Sequence, residues 1–204
     1  SVKLDSLSIR NDSTKACLHL EKNTRVEIDS FILRGNVKIS KIYLQNYFGI
    51  KAGDLYDEKK ISLISARMKS LLFMKEIKPM TVTFNADKAK VSVFANKKKN
   101  SQFDGVLGVL PNSQSTGKLL LTGEVNLSLV NAFSRGEMMS LNWRKLQQNT
   151  QDLKVSFIYP YLLNTPLGAD IKFKLYKNDT LYVNIERNAG LRYMYSGTNY
   201  IKAF

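Results

Sequence analysis

The sequence predicts an α+β chain: a strand-helix-helix-strand-strand module followed by an antiparallel β-meander. Three observations predict it. Helical and strand periods are mixed up to about residue 100. Beyond that point apolar residues recur at every second position almost without a break, the period of a half-buried strand. The links between those later strands are short and rich in turn residues.

The elements follow in chain order. Leu7–Arg10 and Lys15–Glu21 read as two strands around the turn Asn11-Asp12-Ser13, with a join at Lys22-Asn23-Thr24. Arg25–Arg34 alternates and then becomes apolar, as a strand entering a core does, and Gly35-Asn36 ends it. Ser40 is a good N-cap for a short helix carrying Leu44, Tyr47 and Phe48, with Gly49 at its C-terminal stop. Asp57 caps a second helix, and Glu58 suits the positive end of the helix dipole. Ile61, Ile64, Met68 and Leu71 then form one apolar stripe. Met80–Asn85 and Lys90–Ala95 are strands joined by Ala86-Asp87-Lys88-Ala89.

From Gln102 the strands lengthen. Leu119, Leu121, Val125, Leu127 and Leu129 oppose Thr122, Glu124, Asn126 and Ser128. Met139, Leu141 and Trp143 form the next row, then Leu153, Val155, Phe157, Tyr159 and Tyr161. Ala169, Ile171, Phe173 and Leu175 oppose Asp170, Lys172 and Lys174, and Leu181–Tyr195 continues the pattern with Arg187 as a flaw. Links are expected at Pro111–Gly117, Asn131–Gly136, Asn149–Thr150, Asn164–Gly168, Asn178–Thr180 and Ser196–Asn199. About six strands and the start of a seventh, Tyr200–Phe204, result, and the chain reads as a piece of a longer pattern.

A soluble binding or scaffolding protein with a β-sandwich would also alternate. Three features favour membrane strands. The runs match the roughly 9–11 residues of a tilted membrane strand. Tyr159, Tyr161, Tyr193, Tyr195 and Trp143 gather toward strand ends, as an interfacial girdle would. The short links suit an up-and-down meander. No apolar run approaches the ~18–20 residues of a spanning helix.

At the level of motifs, residues 25–100 resemble a POTRA domain in the spacing of Phe31-Ile32-Leu33-Arg34-Gly35-Asn36, Ile50-Lys51-Ala52-Gly53-Asp54-Leu55-Tyr56 and Leu71-Leu72-Phe73-Met74-Lys75-Glu76-Ile77. Residues 101–204 are similar to the first barrel strands of BamA/TamA-type outer-membrane assembly proteins, in versions from Bacteroidetes-type bacteria. That likeness rests on Phe103-Asp104-Gly105-Val106-Leu107-Gly108, Gly117–Gly123 and Asn142-Trp143-Arg144-Lys145-Leu146. Residues 1–24 look like the tail of a preceding repeat. The resemblance implies a partial transmembrane β-barrel in the outer membrane with a periplasmic POTRA domain. It also implies a function in which unfolded outer-membrane proteins are received and assembled at a barrel seam. The implied partners are those clients, the lipid bilayer and subunits of an assembly machinery.

Catalytic chemistry finds little support. One cysteine, Cys17, excludes an internal disulfide, and one histidine, His19, excludes a His-rich or multi-Cys metal site. Cys17 is expected to be a buried free thiol. Asp54, Asp57 and Glu58 read as turn and cap residues, and no nucleotide-binding or nucleophile-elbow motif occurs. No enzyme, cofactor or metal is expected. An enzyme acting on acidic glycans or lipids is favoured only by the net charge of +14.

The sites expected are contact surfaces. The short strand around Thr81, Val82, Thr83 and Phe84 should be an exposed edge able to add a client strand, with Lys90–Ala95 interior. The first meander strand, with Phe103, Gly105 and Gly108, should pair weakly and act as the seam, since glycine weakens strands. Lys97-Lys98-Lys99, with Lys88 and Lys90, is the densest basic stretch and suits phosphate head groups at a membrane surface. Nucleic acid is not expected, because no aromatic lies between Asn96 and Gln102. Arg144, Lys172 and Lys174 should make the barrel interior basic.

Overall fold

The computed structural model describes residues 2–10, 13–20, 25–111, 119–147, 149–179 and 181–204. Strands β1 (Val2–Arg10) and β2 (Ser13–Leu20) form an antiparallel hairpin. The expected turn residues Asn11 and Asp12, and the join at Lys22-Asn23-Thr24, lie outside the described residues. Leu7, Ile9 and Leu18 are exposed. Cys17 is exposed as well, against expectation. Two strands alone offer no interior in which to bury a thiol.

The next five elements are β3 (Glu27–Arg34), α1 (Lys41–Phe48), α2 (Glu58–Lys69), β4 (Met74–Asn85) and β5 (Lys88–Lys97). Their order matches the expected strand-helix-helix-strand-strand. Ser40 Oγ accepts from Tyr43 N, and Asp57 accepts from the backbone of Lys59 and Lys60, so both caps work as read. Gly49 ends α1 with φ +68°, a left-handed conformation cheap only for glycine. Ile61, Ile64, Met68 and Leu71 are all buried against the sheet. The sheet order is β3-β5-β4, with β5 parallel to β3 and antiparallel to β4. β5 is therefore central, and Val91 and Val93 lie in the core. Two details differ from the sequence reading. β4 begins at Met74 rather than Met80, and its turn to β5 narrows to Ala86-Asp87.

Seven strands complete the chain: β6 (Gln102–Pro111), β7 (Leu119–Val130), β8 (Met138–Gln147), β9 (Thr150–Tyr159), β10 (Leu167–Asn178), β11 (Tyr182–Ser196) and β12 (Asn199–Ala203). They pair in sequence order, all antiparallel, as one open meander. Most of the expected Pro111–Gly117 link, and Thr180, lie outside the described residues. Among the described residues no second sheet covers this layer, so the sandwich alternative is not what forms. Among the described residues no helix is long and apolar enough to cross a membrane, which says nothing of strands.

Tyr161 departs from its expected place in an apolar strand row. β9 ends at Tyr159, and Tyr161 takes a left-handed conformation at φ +55°. Its ring is buried in the module's core, so it cannot belong to an interfacial girdle. Trp143 lies in mid-strand rather than near an end.

Candidate functional site

The meander separates its two faces by register. Phe103, Leu127, Leu141, Val155 and Phe173 lie opposite one another from strand to strand. Leu129, Met139, Phe157, Ile171 and Ala189 make a second such row. On the other face, Asn126, Asn142, Lys154, Lys174 and Glu186 align, as do Ser128, Ser140, Ser156, Lys172 and Asn188. Both faces are largely open. On the apolar face Leu121 and Ile171 are each 50% accessible and Leu127, Leu141, Val155 and Phe173 are half-buried, while on the polar face Ser128, Ser140, Lys154 and Lys172 are exposed. Thr122, Asp170 and Arg192 are the buried exceptions on the polar face, at 8%, 1% and 9%.

The expected basic interior needs correction. Lys174 pairs with Glu186, Lys154 with Asp152 and Arg144 with Glu124. Asp170, fully buried, accepts from Arg192 Nε at 3.0 Å and also from Arg192 Nη2 and Lys202 Nζ. Only the Asp170, Arg192 and Lys202 cluster is buried, where pairing offsets the cost of taking charge out of water; the other three pairs are exposed or half-buried. Asp170, Arg192 and Lys202 were not singled out in the sequence. Only the two-residue alternation places them, and nothing in it marks their burial.

Two strand edges carry the expected client sites. Phe103, Gly105 and Gly108 lie on β6, whose one side pairs continuously with β7 from Gln102 to Pro111. The glycines do not interrupt this ladder. Gly108 O accepts from Thr122 Oγ1 at 3.2 Å. The other side of β6 has no partner strand among the described residues. Thr81, Val82, Thr83 and Phe84 pair only with β5, so β4 is an edge as expected. β3 is the opposite edge of the same sheet. Register shifts between Glu76 and Thr81, together with Pro79, spoil the first half of β4 for strand addition. The regular part is Thr81–Asn85.

Module and meander meet at three turns, which sequence reasoning identified only as turns. At 131–137, Ser40 N donates to Ser134 O at 2.7 Å, and Asn131 Nδ2 donates to Lys38 O at 2.9 Å. Glu137, at 1% accessibility, accepts from the backbone of Phe133 and Arg135 and holds the turn closed. Gly136 lies under Tyr43: a Cβ there would meet the ring at 2.0 Å. At 160–166, Tyr161 packs edge-on to Tyr43 at 5.4 Å, and Asn46 Nδ2 donates to Asn164 Oδ1 at 2.9 Å. At 197–198, Arg67 Nη2 donates to Ser196 Oγ at 3.2 Å while Nη1 donates to Phe48 O at 2.6 Å. Burial raises the Tyr43 and Tyr161 hydroxyls well above the usual tyrosine range, and it pushes Tyr47 up to about 12 against the opposing pull of Arg67. These rings act as neutral packing groups.

Lys97, Lys98 and Lys99 are exposed, the first at the end of β5 and the other two in the link to β6. Lys88 and Lys90 do not join them, because they sit at the far end of β5, some seven residues or ~23 Å away. Among the described residues no group of His, Cys, Asp and Glu could hold a metal ion.

No family model matches the sequence, and no curated protein matches it. Solved structures do resemble it. BamA from Haemophilus ducreyi lacking POTRA domains 1–3 aligns over 94% of this chain with a TM-score of 0.54 and 15% identity. CdiB from Acinetobacter baumannii aligns over 83% with a TM-score of 0.45 and 14% identity. The chain spans 37% of the BamA structure it matches. The fold of this chain, a small helix-bearing module joined to an open antiparallel meander, is thus shared with part of that BamA structure.

Proposed function

We propose that this chain is part of an outer-membrane insertase or transporter: a periplasmic POTRA domain at residues 25–100 joined to the opening strands of a transmembrane barrel at residues 101–204. Residues 1–24 are then the end of a preceding repeat. The single observation that supports this best is the uncovered apolar face of the meander. Its apolar side chains line up from strand to strand on one side of a single layer, and no other sheet covers that side among the described residues. Water against so continuous an apolar face is costly, whereas lipid on that side and a polar lumen on the other suit it.

In this reading the protein performs no covalent chemistry. Unfolded outer-membrane proteins are received as extended chains at the Thr81–Phe84 edge, where backbone hydrogen bonds give affinity with little demand on sequence. The unpaired side of β6 is the seam at which a client strand adds. Other subunits of an assembly machinery are further partners.

The test places single cysteines at Leu127 and Asn126 in a Cys17→Ser background in membranes. These neighbours lie on opposite faces of β7. A lipid-soluble maleimide should label position 127, and a water-soluble one position 126. Equal labelling of both, or the reverse preference, would remove the membrane reading.

A further inference from the structure

The module carries a basic groove that sequence order does not reveal. It lies between the end of α2, the first half of β4 and the link to β6, and has a volume of about 490 Å³. Lys69, Lys75, Lys78 and Lys98 line it, drawn from these three segments. Glu76 is the one carboxylate on the lining, and its Oε1 is engaged by Ser65 Oγ at 2.6 Å. Among the described residues none of the four lysines forms an ion pair. Lys78 is balanced only by the face of Phe94, at 4.1 Å. Arg144, Lys154 and Lys174 of the meander each meet a carboxylate, and the lysines of this groove do not.

We propose that the groove holds the phosphate of an anionic phospholipid head group at the membrane surface. The proposal rests on the outer-membrane reading and deepens it. Four unpaired cations around one cleft repel one another, and an anion seated among them removes that cost. The position suits a lipid rather than a diffusing ion. Lys98 precedes the foot of β6 at Gln102 by four residues, at most about 14 Å of extended chain. Ser101 Oγ accepts from Val130 N at 3.1 Å, which fixes that link at the rim of the meander. The head-group layer is roughly 5–8 Å deep on each side of the hydrocarbon. The groove's surroundings are also amphiphilic. Ile77 on its lining is 54% exposed, so a glycerol and upper acyl chain would find an apolar contact beside the phosphate site.

The experiment is lysine acetylation read by mass spectrometry on the full chain in a zwitterionic detergent. Soluble dihexanoyl-phosphatidylglycerol, dihexanoyl-phosphatidylcholine and inorganic phosphate are added in separate arms. Phosphatidylglycerol should slow modification of Lys69, Lys75, Lys78 and Lys98 at least threefold and leave the distant Lys88 and Lys90 unchanged. Phosphatidylcholine should protect none of them. Equal protection by inorganic phosphate would make this a free-anion site and overturn the lipid assignment. Uniform protection of all lysines, or of none, would overturn the site itself. As a second measurement, the exposed-lysine variant Lys69→Gln, Lys75→Gln, Lys78→Gln, Lys98→Gln should bind phosphatidylglycerol vesicles more weakly by about fivefold per lysine removed. Undiminished binding would also refute the proposal. None of these outcomes depends on the labelling of Leu127 and Asn126, so failure here and failure of the membrane reading are separable.

Discussion

The module seals its apolar residues inside, whereas the meander leaves one apolar face uncovered. In the module Ile64, Met68, Val91 and Val93 are sealed inside, and lysines cover the outside. In the meander Leu121, Ile171 and Leu191 stand outside while Asp170 and Arg192 are sealed in. Alternation in a strand states only that its two faces differ. Which face is hidden depends on the surrounding solvent and on what packs against the sheet. Two helices cover the apolar face of β3-β5-β4. Nothing in the described chain covers the apolar face of β6–β12.

The largest expected effect breaks this contrast directly. Leu71→Ala removes a buried side chain from the module and should cost about 2–5 kcal/mol. Ile171→Ala removes an exposed one from the meander and should cost within about 0.5 kcal/mol in detergent. Ile171→Lys reverses the comparison: harmless in detergent, it should cost about 2–4 kcal/mol in a bilayer if the site lies near mid-membrane. Urea unfolding of the full chain, followed by hydrogen exchange in α2 and in β10, reads both regions at once. Equal sensitivity of Leu71 and Ile171 would mean that the meander has a buried apolar core after all.

A smaller effect is expected where the two regions meet. Gly136→Ala drives a methyl group into the Tyr43 ring, and overpacking of this kind costs about 1–3 kcal/mol. The cost should appear at the junction rather than in either region alone. The Ser40 amide, which donates to Ser134 O, should exchange faster by about 5- to 150-fold, as that energy implies. Adding Tyr43→Ala should return part of the loss by making room. Unchanged Ser40 exchange would show that the 131–137 turn does not hold the module in place.

The elements of both regions were legible in the sequence because local signals fixed them. Ser40, Gly49 and Asp57 marked helix ends, the Ile61–Leu71 stripe marked a face, and strict alternation marked each long strand. The meeting of the regions was not legible. Tyr161 continues the alternation of Leu153–Tyr159 by count, yet the chain turns out of the sheet after Tyr159 and delivers the ring to the module. Pairings such as Arg67 with Ser196, 129 residues apart, leave no local trace. The basic groove shows the same limit. Lys97-Lys98-Lys99 stood out as a run, but only folding brings Lys98 beside Lys69, Lys75 and Lys78 and carries Lys88 and Lys90 away.

The smallest effect sharpens the comparison on the module's side. Tyr47 is held between Tyr43, stacked at 5.6 Å, and Phe48, and its hydroxyl donates to Arg67 O at 2.9 Å. Burial pushes its pKa up to about 12, with the Arg67 charge pulling the other way. The unfolded side chain ionises near 10. Below pH 10 both states keep the proton, so the contribution of the neutral, buried hydroxyl is fully present. Between about pH 10 and 12 the unfolded chain loses its proton first, which favours unfolding, and stability falls as pH rises. Above that window both states are ionised and the loss is complete. Tyr47→Phe has no proton to lose at this position. Its urea midpoint should therefore decline less steeply from pH 9.5 to 11.5 than that of the parent. Parallel slopes would mean that water reaches the Tyr47 hydroxyl and that the module's face toward the meander is looser than the packing of Tyr43, Tyr47 and Tyr161 indicates.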